Sequence, residues 1–345
     1  MNDEVRSSFI VPTSSFHMSV SAIILAAGRS TRMKSNHPKV LHEVCGKPML
    51  EHVLNACYSA GATKVMVVVG FGKEEVISRF ADDKRIEWVE QTQQLGTGHA
   101  ARMCEELVKK IGGDVFILAG DGPMIRGEVL QTLLRAHKDD HAAASMATAV
   151  MDDPFGYGRI IRDVDGNFLD IVEEVDCTPE QREIREVFPS YYCFKADDLC
   201  LALSKLTNNN RKGEYYLTDT FGILRREGRK IAAVQAVTAE DVLAANDRKQ
   251  LADVDAAMQS RIQRNLMDSG VTIVSPINTY IESGVQVGRD TIIHPFTFIG
   301  RDTTVGGECV IGPFATLPRE SIVREGMTIA GNIAVESATL DRRAN

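Results

Sequence analysis

Basic charge is scarce in this chain: 39 lysines and arginines stand against 47 aspartates and glutamates, a net charge of −8 at pH 7. Nucleic-acid binders and membrane-surface proteins draw on an extended basic face, so both classes are disfavoured, and any anionic ligand must be held by a local cluster of cations. The cysteines offer no framework. All seven (Cys45, Cys57, Cys104, Cys177, Cys193, Cys200 and Cys309) are scattered and none forms a Cys-x-x-Cys pair. Neither a disulfide scaffold nor a zinc site is indicated, and a reducing cytoplasm is predicted. Long hydrophobic runs are missing, so no segment is predicted to span a membrane. The apolar run 22–27 is too short for a signal-peptide core, follows Asp3 and Glu4, and passes straight into a glycine turn. The two commonest phosphate loops are missing as well: no Gly-Lys-Ser/Thr closes an eight-residue span, and no three-glycine fingerprint opens a helix with an acid about 20 residues on.

What is present is a chain of 345 residues, 44% hydrophobic, enough to bury one large core and a smaller one. Residues 1–20, rich in Ser and Thr, predict a disordered extension. Directly after it, Leu25-Ala26-Ala27-Gly28-Arg29-Ser30-Thr31-Arg32-Met33, followed by Pro38-Lys39-Val40-Leu41, puts a glycine turn and two cations behind an apolar strand. Small residues at Ala26, Ala27 and Gly28 let backbone N–H groups approach phosphate oxygens, and Arg32 and Lys39 supply positive charge where phosphoryl charge would develop. Taken alone, the segment also reads as an ordinary turn with two solvated cations.

From 21 to about 150, β-branched runs alternate with helical stretches: strands at 22–27, 64–69, 86–89 and 115–119, helices at 48–60, 73–80 and 98–111. Alternation of this kind predicts a doubly wound, mostly parallel α/β sheet that binds its ligand beyond the carboxyl ends of the strands, where Gly28 and Asp121 fall. Between 159 and 194 the pattern turns to strand pairs, with Asp165-Gly166 a hairpin signal. A helix over about 246–267 carries Leu251, Val254, Met258, Ile262 and Leu266 on one face. After Gly270 a period of six appears: Ile281, Val287, Ile293, Ile299, Val305, Ile311, Leu317, Val323, Ile329 and Val335, with small or β-branched residues four positions later. That predicts a parallel β-helix with the aliphatic residue stacked inside, and glycines at 288, 300, 306 and 312 are read as serving its turns. The expected divisions are an extension (1–20), a nucleotide-binding domain (21–248), a linker helix (249–269) and a β-helix (270–345).

Nucleotidyl transfer needs charge neutralisation and in-line positioning, so a carboxylate for a divalent metal is expected beside the cations. Asp121, flanked by Gly120 and Gly122 after a buried-looking strand, is the best candidate, with a turn aspartate bonding its own backbone as the lesser alternative. The segment Gln91-Thr92-Gln93-Gln94-Leu95-Gly96-Thr97-Gly98-His99 puts a glycine-bounded turn before a helix, and Gln91 offers the adjacent donor and acceptor that a pyrimidine matches. His137 and His141 have a metal-pair spacing but are expected at an exposed helix end and are read as structural. Glu173 and Glu174, adjacent on an expected strand, would point opposite ways and so form no acid–base dyad.

Together these segments resemble the sugar-nucleotide pyrophosphorylases, most closely the uridylyltransferase part of the bifunctional bacterial N-acetylglucosamine-1-phosphate uridylyltransferases and glucosamine-1-phosphate acetyltransferases. The likeness runs from about 21 to 318 and is carried by 25–33 with Lys39, 94–100, Asp153-Pro154 with 156–160, 206–210 with 213–219, and Asn246-Asp247-Arg248. The resemblance implies that Leu25, Ala26, Ala27 and Gly28 hold the nucleotide, that Arg32 and Lys39 are catalytic, and that Gln91, Gly96 and Thr97 read uracil. It further implies that Asp121 and Asn246 bind Mg2+ and that Gly158 and Glu173 face the sugar. The implied reaction joins UTP and N-acetylglucosamine-1-phosphate into UDP-N-acetylglucosamine and pyrophosphate, in a homo-oligomer, a trimer through a left-handed β-helix. Three departures stand out. Phe188-Pro189-Ser190 replaces the Asn-Thr-Gly or Asn-Ser-Gly expected beside the sugar, Ala119 replaces an aromatic, and Ser30 replaces a glycine of the phosphate turn. About three coils are expected, so acetyl transfer, which the family places further along, is not. A different sugar-1-phosphate or base, or a non-catalytic sugar-nucleotide-binding paralogue, are the alternatives.

Overall fold

The computed structural model describes residues 20–210 and 212–331. The first strand begins at Val20, so the expected extension falls almost wholly outside the described residues, as does Val335 of the repeat. One large sheet runs in the order Ile86–Glu90, Lys64–Val69, Val20–Ala26, Asp114–Ala119, Tyr191–Lys195, Ala144–Val150, Glu186–Val187, Arg159–Arg162, Phe168–Val172, with Ile231–Gln235 also paired to Ala144–Val150. The first four strands are parallel. Tyr191–Lys195 then runs antiparallel to both its neighbours, making the sheet mixed.

Alternation along the central strands feeds two cores, one on each face of the sheet. Ala22, Ile24 and Ala26 join Val65, Val67 and Leu118 on one face, under the helices Met49–Ser59 and Gly127–Asp139. Ile23 and Ala27 join Met66, Val68 and Ile117 on the other, under Thr97–Arg102, Ala196–Ser204 and Asp219–Arg226. Two helix expectations need adjustment. Pro48 stands just before the helix at extended backbone angles rather than in its first turn. The single helix expected over 98–111 is two, Thr97–Arg102 and Glu105–Ile111. The Cys104 N–H bonds the Ala101 carbonyl in a tightened turn, and the bend buries both Cys104 and Val108.

The helix Arg248–Asp268 is capped by Asp247, whose carboxylate accepts from the Lys249 and Gln250 N–H groups at 2.9 Å. Val254, Met258 and Leu266 are buried as its periodicity implied. Two buried glutamines on it, Gln259 and Gln263, bond the backbone of Ile281 and Thr279 at the rim of the first coil, satisfying an edge that would otherwise be unpaired.

Residues 272–329 form three parallel ladders at 18 residues per coil, as in Thr279↔Thr297, Gln286↔Thr304 and Ile293↔Ile311. Ile281, Ile293, Ile299, Val305, Ile311, Leu317, Val323 and Ile329 are buried inside, while Val287, in the first coil, is half-buried. Of the four glycines read from sequence as turn residues, only Gly312 has positive φ, at +88°, and the regular turns come from a different set. Positive φ recurs every sixth residue at Gly284, Asp290, Phe296, Asp302, Glu308, Phe314, Glu320 and Gly326. Gly288, Gly300 and Gly306 have ordinary φ. Their role is close stacking, since a Cβ there would lie 2.3, 2.5 and 2.4 Å from a backbone nitrogen of the next coil.

Candidate nucleotidyl-transfer site

A cavity of about 870 Å3 opens at the carboxyl ends of the parallel strands. Leu25, Ala26, Ala27 and Gly28 form one wall as they leave the first strand. Gly28 is exposed and a Cβ there would meet nothing within 4 Å, which leaves its backbone open to a ligand. Arg32 lies in the short turn Thr31–Met33 and Lys39 opens a second one, Lys39–Leu41.

The cations and oxygens expected to work together do converge, from positions more than 200 apart in sequence. Lys39 Nζ donates to Asp121 Oδ2 and to Asn246 Oδ1, the latter at 3.0 Å. Arg32 Nη2 donates to the same Asn246 Oδ1 at 2.9 Å. Ser30, in place of the second glycine, has a use here: its hydroxyl donates to the Asn246 carbonyl at 3.3 Å. Asp121 and Asn246 therefore aim two hard oxygens at one cationic position, held in this structure by the Lys39 ammonium. That donor set fits magnesium, which takes one or two protein oxygens and keeps its remaining places for phosphate and water. Among the described residues no group of three or more His, Cys, Asp or Glu side chains forms an alternative metal centre.

On the base side, Gln91 is buried and lines the cavity. Its Nε2 donates to the Gly96 carbonyl at 3.2 Å and to His99 Nδ1 at 2.9 Å. Both amide protons are thus used within the protein and the carbonyl end alone is left for a ligand, so the donor-and-acceptor match read from the sequence is reduced to an acceptor. His99 acts as acceptor in this pair, and burial and the nearby Arg102 hold its pKa below the ordinary histidine range. Gly96 has φ +108° and a Cβ would lie 2.5 Å from the Tyr215 carbonyl, so only glycine fits. Thr97 turns its hydroxyl to accept from the Leu217 N–H at 3.0 Å, bracing the helix start rather than presenting the hydroxyl freely.

On the opposite side lie Gly158, Glu173 and Glu174. The strand ends at Val172, so Glu173 and Glu174 both reach the cavity instead of pointing opposite ways. Their environments differ. Glu174 Oε2 pairs with the buried Arg159 guanidinium at 2.8 Å, whereas burial pushes the Glu173 carboxyl above the usual range, against the pull of Lys212. Phe188, at the position of the missing amide, packs its ring edge over Gly158 so closely that a Cβ there would sit 2.2 Å from it. Tyr157, Tyr216 and Thr218, noted in the sequence only as part of the resembling segments and given no role, and Lys212, which was not singled out, also line the cavity. All but Tyr157, beside Gly158, fall on the irregular stretch 205–218, where periodicity carries no signal.

His137 differs from expectation. It is fully buried, bonded to Ser145 Oγ at 2.8 Å and 3.6 Å from Asp114, because its helical face packs on the sheet; exposure begins at Lys138, the next residue. No helix among the described residues is long and apolar enough to cross a membrane.

Comparison with known proteins gives the class of the fold. Residues 22–186 match the model of the MobA-like NTP transferase domain. The solved structure of a UDP-glucose pyrophosphorylase complexed with UDP-glucose superposes with a TM-score of 0.58 at 18% identity, covering 71% of this chain and all of that one. Fold and site together define a nucleotidyltransferase of the sugar-nucleotide pyrophosphorylase class. The bifunctional protein GlmU of Alkaliphilus metalliredigens is 43% identical over 327 residues, 95% of this chain and 71% of that protein. That of Pelotomaculum thermopropionicum is 43% identical over 93% of this chain and 69% of its own length. The chain belongs to the GlmU family.

Proposed function

We propose that the chain is a magnesium-dependent uridylyltransferase that joins UTP to N-acetylglucosamine-1-phosphate, or to a related sugar-1-phosphate, with release of pyrophosphate. In this reading 21–248 is the catalytic domain, 249–269 a connector and 270–345 the β-helix through which the chain trimerises, in the cytoplasm. The observation that carries it is the convergence of Arg32, Lys39 and Asp121, which line the cavity, with Asn246, which bonds both cations, in a cavity also lined by the base-side and sugar-side residues. The UDP-glucose bound in the structural relative is consistent with that layout.

The chemistry follows from charge. An oxygen of the sugar-1-phosphate attacks the α-phosphorus of UTP, the bond from that phosphorus to the bridging oxygen breaks, and pyrophosphate leaves with the electron pair. A phosphate monoester has its second pKa at about 6, so the nucleophile is already ionised at neutral pH and no general base is needed. Lys39 exchanges Asp121 for the α-phosphoryl oxygens, and Arg32 follows the charge onto the departing side. Asp121 and Asn246 would hold Mg2+, which supplies neutralisation of the phosphate oxygens when bound. Leu25 to Gly28 seat the triphosphate, the Gln91 carbonyl and the glycine-bounded turn at Gly96 and Thr97 receive the base, and Gly158 and Glu173 meet the sugar.

Phe188 favours a second reading of the acceptor. A buried ring over Gly158 offers no hydrogen bond where an amide would, so a sugar other than the 2-acetamido one is the alternative. One panel tests both: several sugar-1-phosphates with UTP and the other triphosphates, read by pyrophosphate release with and without magnesium. Turnover of N-acetylglucosamine-1-phosphate with UTP is expected. Preference for another acceptor replaces the sugar assignment. If no pair turns over while UDP-sugars bind tightly, the chain is a sugar-nucleotide sensor and the enzymatic reading fails.

A further inference from the structure

Asn246 reaches the phosphoryl site from a segment with little regular structure of its own, the short turn Ala239–Val242 and the four residues after it. What holds that segment is a buried carboxylate. Asp241 is 1% exposed and takes two guanidinium groups at once. Arg126 donates to its Oδ2 from Nε at 3.0 Å and Nη2 at 2.6 Å, and Arg261 donates to its Oδ1 from Nη2 at 2.6 Å. Arg126 stands at the start of the helix Gly127–Asp139, and Arg261 lies within Arg248–Asp268, where its Nη1 also holds the Met124 carbonyl at 2.9 Å. The buried Tyr191 hydroxyl donates to the Asp241 carbonyl at 2.8 Å. At the far end of the same segment the Ala245 N–H donates to the carbonyl of Asp121 itself at 3.3 Å. The backbone is therefore clamped at Asp241 and touches the phosphoryl-site carboxylate's own residue one position before Asn246.

We propose that Asp241, clamped by Arg126 and Arg261, is a positioning residue that sets the Asn246 amide beside Asp121 and Lys39. It touches no reacting group. Removing one partner of a buried, fully hydrogen-bonded charge set leaves the others uncompensated, and the backbone from 243 to 246, which lies in no helix or strand, carries the response to Asn246. Loss of the clamp thus moves Asn246 Oδ1 away from the common cation position while Asp121, in the turn two residues after the strand Asp114–Ala119, stays. The inference rests on the proposed role of Asp121 and Asn246 as the metal oxygens.

The test uses the whole chain and reads metal binding directly. Mn2+ is titrated by electron paramagnetic resonance in the presence of uridine 5′-α,β-methylene triphosphate, a UTP analogue that cannot be cleaved, for wild type, Asp241→Asn and Arg126→Gln. Wild type is expected to bind Mn2+ with the nucleotide. In Asp241→Asn the dissociation constant rises about tenfold or more, the Mg2+ concentration for half-maximal turnover rises in step, and the KM for the sugar-1-phosphate changes little. Arg126→Gln, whose arginine is partly exposed, gives a smaller shift of the same kind and serves as the readout if Asp241→Asn does not fold. Folded variants with unchanged Mn2+ affinity overturn the proposal, and so does failure of both to fold, which makes the clamp a stability element only. Failure of the wild type to bind Mn2+ with the analogue is a different result: it removes the metal-site reading itself.

Discussion

The two halves of this molecule encode their structure in opposite ways. In the β-helix structural positions are repeated locally, so the aliphatic core and the αL corner each return every sixth residue and face their equivalents in the coil 18 residues away. In the nucleotide half the functional point is made by Arg32, Lys39, Asp121 and Asn246, and two of its hydrogen bonds span 214 and 207 residues. Damage in the first should therefore be felt as stability and damage in the second as rate. The lone tryptophan, Trp88, sits in the edge strand Ile86–Glu90 of the nucleotide half and allows the two to be followed separately.

The largest effect is expected from the cations and their oxygens. Lys39→Ala and Asp121→Ala should each lower kcat by about 10^3, or about 4 kcal/mol of transition-state stabilisation, with the Trp88 unfolding curve little moved. Steady-state pyrophosphate release and denaturant unfolding check this. Unchanged turnover in either variant would remove the assigned roles. In the coils, Ile299→Ala should do the reverse. Its fully buried side chain belongs to the stacked interior, and truncation costs about 3 kcal/mol of local stability while kcat and KM stay near wild type. Far-UV circular dichroism during unfolding should show the coil transition move ahead of the Trp88 transition; coincident transitions would mean that the halves unfold as one.

These contrasts also explain what could be read from sequence. The sheet's parallel half was legible because its β-branched runs are bounded by turns, and the coil interior because a period of six admits no helical explanation. Arg32, Lys39 and Asp121 follow strands or turns with glycine or proline beside them, so chemistry and position pointed the same way. The Asp241 clamp was not legible: a carboxylate between two ordinary residues has no spacing signature, and its arginines lie in other elements. The glycines at 288, 300 and 306 were seen but misassigned, since a sequence shows that a Cβ is missing without showing whether φ or a neighbouring backbone forbids it. His137 was misplaced for a related reason, because a place near a helix end suggested solvent while its own helical face met the sheet.

Acid should separate the halves at intermediate cost. His42 follows the Lys39–Leu41 turn, is buried, and has no hydrogen-bond partner at Nε2. Burial, with Arg248 and His37 nearby and Glu75 opposing, lowers its pKa from 6.5 to about 4. The unfolded chain therefore binds the extra proton between those values, so stability falls as pH drops from 6.5 towards 4. With Arg248 and Glu75 exposed to solvent and screening part of the effect, the loss is about 2 kcal/mol. Trp88-monitored unfolding at pH 6.5 and 4.5 should show it in wild type and show less of it in His42→Gln, while the coil transition changes equally in both. Identical pH dependence in the two proteins would dismiss His42 as the cause.

The smallest effect tests the corner rule within the coils. One corner stacks Gly284, Asp302 and Glu320, a second Asp290, Glu308 and Gly326, and the third Phe296 and Phe314. All share positive φ, yet glycine occupies only the outermost position of each of the first two. Glu320 is exposed, with φ 63°, so Glu320→Gly relieves the Cβ strain of αL, about 1–2 kcal/mol, against a backbone entropy cost of about 0.5–1 kcal/mol. A net gain of about 0.5 kcal/mol in the coil transition is expected. Phe314→Gly should gain nothing, although its φ of 59° is as strained, because its ring stacks on Phe296 at 5.1 Å and 6° and that contact contributes about 0.5–1.5 kcal/mol. If both variants shift the transition alike, side-chain contacts at the corners carry no weight and backbone conformation alone sets their stability.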